Sequence, residues 1–138
     1  MIYLDGSVES KQIGNYSPNH YFDYQDINAD GYKDYIFLDK NKLAVYKQDG
    51  SNLFDFKFDE KIESSPVYYY FSYDDRKLGV VSRTSNEIYL FNSNGSVYNG
   101  FPLKGNTPFT IGYLENSSNH FNLLVGNRYN FLYNYSVN

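Results

Sequence analysis

The sequence has no cysteine and no tryptophan, and it has only two histidines. Without cysteine there are no disulfides, no thiolate chemistry and no cysteine-ligated zinc. Two histidines, His20 and His120, are thin material for a catalytic zinc site. Each reads as a strand-side surface or packing residue before a ligand or base. There is no excess of basic charge: 12 Lys and Arg against 16 Asp and Glu give a net charge of -4. A nucleic-acid binder normally carries a basic stripe, so nucleic acid is not the expected partner. No apolar run approaches 18 residues, so no membrane-spanning helix is expected. The opening residues Met1-Ile2-Tyr3-Leu4-Asp5-Gly6 are too short and too polar for a signal-peptide core. That leaves a cytosolic protein, a signal already removed, or a piece of something larger. No Ser-His-Asp set, phosphate-cradling glycine loop or histidine cluster is present, so nothing in the sequence argues for an enzyme.

Aromatic residues are abundant: 17 Tyr and 11 Phe in 138 residues. They come with β-branched residues in short runs between Asn, Asp, Gly and Ser, which is the signature of strands and turns. Examples are Tyr35-Ile36-Phe37-Leu38, Leu43-Ala44-Val45-Tyr46 and Val67-Tyr68-Tyr69-Tyr70-Phe71. No window keeps a helical period, so the chain is expected to be all-β. In the Tyr68-Tyr69-Tyr70 run alternate rings face opposite sides. Core packing is the simpler role for them, and sugar stacking the alternative. Asp74-Asp75 reads as a solvated hairpin tip rather than an acid–base pair.

Three turns resemble one another: Asp5-Gly6-Ser7, Asp49-Gly50-Ser51 and Asn94-Gly95-Ser96. Their glycines stand 44 and 45 residues apart. Each turn follows an aromatic strand and precedes another strand and a proline (Pro18, Pro66, Pro108). A period of about 44 with four strands per unit fits propeller blades. The expected fold is therefore all-β, with three four-stranded propeller-type repeats. Blade one spans 15–59, with strands near 20–24, 35–39, 42–47 and 53–58. Blade two spans 64–104, with strands near 66–72, 78–83, 87–91 and 97–101. Blade three spans 106–138, with strands near 108–114, 121–126 and 129–135, and is completed by a strand at 7–13. Three blades are too few to close a ring, since propellers have about 4–8. Two copies could form a six-bladed homodimer, or the chain could belong to a longer propeller.

Residues 26–34 read Asp26-Ile27-Asn28-Ala29-Asp30-Gly31-Tyr32-Lys33-Asp34. Oxygen side chains at positions 1, 3, 5 and 9, with Gly at 6, give the spacing of a calcium loop. A hard cation takes about 6–8 oxygens, and alternating side chains in a tight loop can converge on it. Asp26, Asn28, Asp30 and Asp34 are the candidate side-chain ligands, and Tyr32 would offer its backbone carbonyl. The alternative is an Asp/Asn-rich turn held by side-chain-to-backbone hydrogen bonds without metal. The loop is not an EF-hand, because position 12 is Phe37 and the flanks read as strands. Asp-x-Asn-x-Asp-Gly-x-x-Asp between two strands resembles the FG-GAP, or VCBS-type, repeat of β-propellers, found in integrin α-subunit heads and many secreted bacterial proteins. The resemblance is specific for residues 21–47. The equivalent loops, Tyr73-Asp74-Asp75-Arg76-Lys77 and Glu115-Asn116-Ser117-Ser118-Asn119, lack the ligand spacing, so one calcium per chain is expected.

The resemblance implies a calcium-stabilised, non-catalytic binding or scaffold module that recognises a protein or glycan. It also implies an extracellular or cell-envelope setting. The rival class is a polysaccharide-cleaving propeller enzyme of which this chain is one part. The richness in Asn, Tyr, Lys and Ile fits an AT-rich bacterial genome, which would make the sequons at Asn15, Asn94, Asn116 and Asn134 chance occurrences.

Overall fold

The structure, a computed structural model, describes residues 10–112 and 121–137. It contains eleven strands and no helix among these residues, in three antiparallel sheets. The first sheet holds β1 (Tyr21–Gln25), β2 (Asp34–Asp39), β3 (Lys42–Tyr46) and β4 (Asn52–Lys57), in that order. The second holds β5 (Val67–Tyr70), β6 (Arg76–Ser82), β7 (Glu87–Asn92) and β8 (Leu103–Lys104). In the third, β10 (Phe121–Gly126) lies between β9 (Thr110–Gly112) and β11 (Leu132–Val137). The described residues close neither a barrel nor a ring.

The all-β expectation holds, and so do the positions of most strands. One strand moves: instead of 97–101, the fourth strand of the second sheet is Leu103–Lys104, and Val97 makes only an isolated bridge to Phe91. The cause is local. Gly100 takes a left-handed φ of 95°, and the Phe101 amide bonds to the Tyr98 carbonyl, so the chain turns there. Pro102 follows and has no amide to donate to a ladder. The last strand begins at Leu132 rather than 129, because the Asn127 side chain accepts the amides of Tyr129 and Phe131 and holds a turn. Residues 10–13 form no strand, and 7–9 lie outside the described residues, as do His120, the Asp5-Gly6-Ser7 turn and the 115–119 loop.

The sheets repeat in detail. Lys40, Asn86 and Asn130, each between the second and third strands of its sheet, all have positive φ (54°, 58° and 66°). The turns at Gly50 and Gly95 are near copies. In each, the next serine's amide and hydroxyl both donate to the preceding Asp49 or Asn94 side chain. Their φ values of 87° and 90° are ones only glycine adopts freely.

Alternation along each strand gives every sheet two faces. Ile36, Leu38, Leu43 and Val45 on one face of sheet one join Leu78, Val80, Tyr89 and Phe91 of sheet two in a single core. Val81, Ile88 and Leu90, on the other face of sheet two, join Leu123, Val125 and Phe121 of sheet three in a second core. Sheet two is thus buried on both sides. Aromatic rings supply much of the filling: Phe91 packs edge-on against Phe56 at 4.9 Å, and Tyr69 stacks on Phe109 at 5.1 Å. Truncating a fully buried ring such as Phe91 to alanine would cost about 3–5 kcal/mol.

Candidate functional site

The calcium-like segment is the turn between β1 and β2. Ile27 is buried and roots it in the first core. Ala29 (φ 59°) and Gly31 (φ 89°) take left-handed conformations, which fold the chain tightly between them. Gly31 has open space around it, so glycine serves backbone shape here rather than close packing.

The oxygens of the turn face its own amides. Asp26 accepts from the Asp30 amide at 3.2 Å and the Gly31 amide at 2.9 Å. Asn28 Oδ1 accepts from the Asp30 amide at 3.4 Å, and Asp30 Oδ1 from the Tyr32 amide at 2.9 Å. Asp34 Oδ2 accepts from the Ile27 amide at 3.0 Å, across the base of the turn. Tyr32 is exposed. Among the described residues, no three His, Cys, Asp or Glu side chains gather closely enough to hold a metal ion.

Asp34 differs from its neighbours. It shares a strand face with Ile36 and Leu38, the face that packs on sheet two, so it is only 1% exposed. Burial, with Asp30 and Asp26 adding repulsion, pushes its carboxyl up to about 6, although the Ile27 amide pulls the other way. A buried acid beside two other carboxylates is poorly compensated by one amide.

A residue that the spacing did not single out also enters the site. Arg76, on sheet two, donates to the Asp26 carbonyl at 2.8 Å and lies 3.6 Å from its carboxylate. Its guanidinium also covers the Tyr70 ring at 4.6 Å. Arg76 opens β6 and reaches Asp26 from 50 residues away, so no single-segment motif contains it.

The other singled-out residues that lie within the described residues have these neighbours. His20 Nδ1 lies 2.6 Å from the Ser17 carbonyl, with its ring near Tyr16 and Phe37. Asp74 accepts from the Ser72 hydroxyl at 2.9 Å, and Asp75 pairs with Lys77. Tyr68 packs on the first core and Tyr69 on the second, while Tyr70 is exposed.

A cleft of about 700 Å³ lies away from the acidic turn. It lies on the far face of sheet one, where Tyr16, His20, Phe22, Tyr24, Tyr35 and Phe37 line it beside residues 10–14. Tyr24 and Tyr35 stack at 5.3 Å and Tyr16 and Phe37 at 4.4 Å. Phe22 is 54% exposed. No family model matches this chain, and no curated protein does.

Proposed function

We propose that this chain is a calcium-stabilised, propeller-type binding or scaffold module that presents its loops to a protein or glycan outside the cell or in the cell envelope. The observation that carries the reading is the β1–β2 turn, which sets four oxygen side chains at alternating positions of one tight turn with a buried acid at its base. Asp26, Asn28, Asp30 and Asp34 would supply side-chain oxygens and Tyr32 its carbonyl. That donor set suits a hard divalent cation and no soft one. The amides that now hold these oxygens are weak compensation for three neighbouring carboxylates. A bound cation neutralises the cluster and ties the ends of the turn together, and its role is structural. The repeated turns and the stacking of the sheets support the propeller-type reading. An extracellular setting, where calcium is plentiful, would keep such a site filled.

Calorimetric titration with calcium tests this. The expected result is one site per chain, abolished by Asp30→Ala. Absence of binding heat in the wild type, or unchanged affinity in the variant, overturns the site.

A further inference from the structure

The register of the three sheets assigns every face a role. Tyr35 and Phe37 on β2 pair with Tyr46 and Ala44 on β3. One repeat on, Leu78 and Val80 pair with Phe91 and Tyr89. One repeat further, Leu123 and Val125 pair with Tyr135 and Tyr133. In sheets two and three this face is turned toward the preceding sheet and buried against it. In sheet one no sheet covers this aromatic face among the described residues: Tyr16 and His20 pack on Phe37, and Phe22 and Tyr24 beside it stay exposed.

The opposite faces correspond too. Ile36, Leu38, Leu43 and Val45 in sheet one, and Gly79, Val81, Ile88 and Leu90 in sheet two, face the following sheet. Their counterparts in sheet three are Leu124, Gly126, Leu132 and Asn134. Leu132 is 71% exposed. At the edge of the same sheet, β11 has a neighbour on one side only among the described residues. Among the described residues, one receiving face and one presenting face of the same stacking rule are therefore covered by no sheet.

We propose that the aromatic face of sheet one docks on the outer face of sheet three of a second copy of this chain. Deepening the propeller-type reading above, on which it rests, the junction is head-to-tail, and repeating it once closes two copies into a six-sheet ring. Head-to-tail contacts use two different patches and close when the rotation per copy completes a circle. Six sheets lie within the range of about 4–8 blades for propellers. The position of residues 10–14 agrees. Lys11 Nζ donates to the Gln48 carbonyl at 2.6 Å, which holds this segment across the receiving face, where it can reach the free edge of the partner's β11. Pairing there would remove an open strand edge. A second copy is preferred to an unrelated partner because the docking positions match, pair for pair, those the chain already uses twice within itself.

Light scattering on the full chain, with calcium present, tests the pairing. The wild type is expected at twice 16.1 kDa. Tyr35→Arg on the receiving face and Leu132→Arg on the presenting face are each expected at 16.1 kDa. Leu132 is exposed, so its variant keeps the fold even where Tyr35→Arg strains sheet one. Mixing the two monomeric variants is expected to restore a weaker dimer, because one undamaged junction remains. A wild-type monomer overturns the proposal, and so does a dimer that survives Leu132→Arg. In a monomer, saturable oligosaccharide binding that Tyr35→Arg abolishes would give the aromatic face to a glycan and likewise overturn it. A monomer that still binds one calcium removes the pairing and leaves the proposed function standing. A dimer that binds none does the reverse.

Discussion

The first two sheets put opposite charges at the same place. Asp34 opens β2 and Lys77 stands at the corresponding position of β6, each one residue before the match of Tyr35 with Tyr46 and of Leu78 with Phe91. Both side chains are buried, at 1% and 8% exposure. Sheet two supplies its own cation there: the Lys77 ammonium pairs with Asp75 and lies over the Phe71 and Tyr98 rings, 5.1 and 5.5 Å from their centroids. Sheet one has an acid, with more acids around it. Sheet three has neither charge: Asn122, the third equivalent, donates to Asn134 at 3.1 Å. One backbone position is thus solved in three ways. Only the first leaves negative charge that an outside cation would balance, so under the proposed reading any cation dependence is expected at sheet one.

The comparison breaks most visibly at Lys77. Lys77→Glu places a buried acid against the exposed Asp75 and should cost about 3–5 kcal/mol, the loss typical of an uncompensated buried charge. Lys77→Met keeps the volume and should stay within about 1 kcal/mol of wild type. Thermal melts with and without calcium measure both, and neither loss should respond to the ion. A small effect for Lys77→Glu would mean that the ammonium reaches water and is no substitute for a metal.

Next in size is the pH dependence set by Asp34. Its carboxyl is held at about 6 in the folded chain, against roughly 3.9 when unfolded. The folded state therefore holds this proton more tightly. In calcium-free protein its contribution is greatest below pH about 4 and declines as pH rises to about 6, by about 2–3 kcal/mol in all. Asp39 and Asp49, whose carboxyls serine hydrogen bonds hold below the usual range, act in the opposite sense. The difference between wild type and Asp34→Asn isolates the term: the variant should gain stability above pH 6 and none at pH 4. Calcium should abolish the wild type's decline, because a bound cation favours the carboxylate. Parallel profiles for the two proteins would show that the burial of Asp34 carries no charge penalty.

These contrasts also explain what could be read from the sequence. The strands were legible because aromatic and β-branched runs end at Gly50 and Gly95, whose turns are local and cost little elsewhere. The acidic turn was legible for the same reason: its spacing lies within nine consecutive residues. The fourth strand of sheet two was misplaced because Val97-Tyr98 has strand composition, while Gly100 and Pro102 decide where pairing resumes. Arg76 and Lys77 were missed as partners because their effect comes from packing between and within sheets. The Arg76 contact with Asp26 spans 50 residues, and no local pattern encodes it.

The smallest effect tests whether Arg76 already does part of the charge balancing proposed for a cation. Both side chains of its pair with Asp26 are 14% exposed, so Arg76→Gln should cost about 1–2 kcal/mol, mostly through the lost charge-assisted bond to the Asp26 carbonyl. Its effect on calcium should have the opposite sign. A positive charge 3.6 Å from the Asp26 carboxylate opposes the entry of a second cation. Removing it should tighten calcium binding several-fold at low salt, and less at high salt, where screening weakens the repulsion. Calorimetric titrations of Arg76→Gln at two ionic strengths decide it. Weaker binding in the variant would mean that Arg76 holds the turn in shape for the ion rather than competing with it. Sheet one would then borrow its order, as well as part of its charge balance, from the residue beside Lys77.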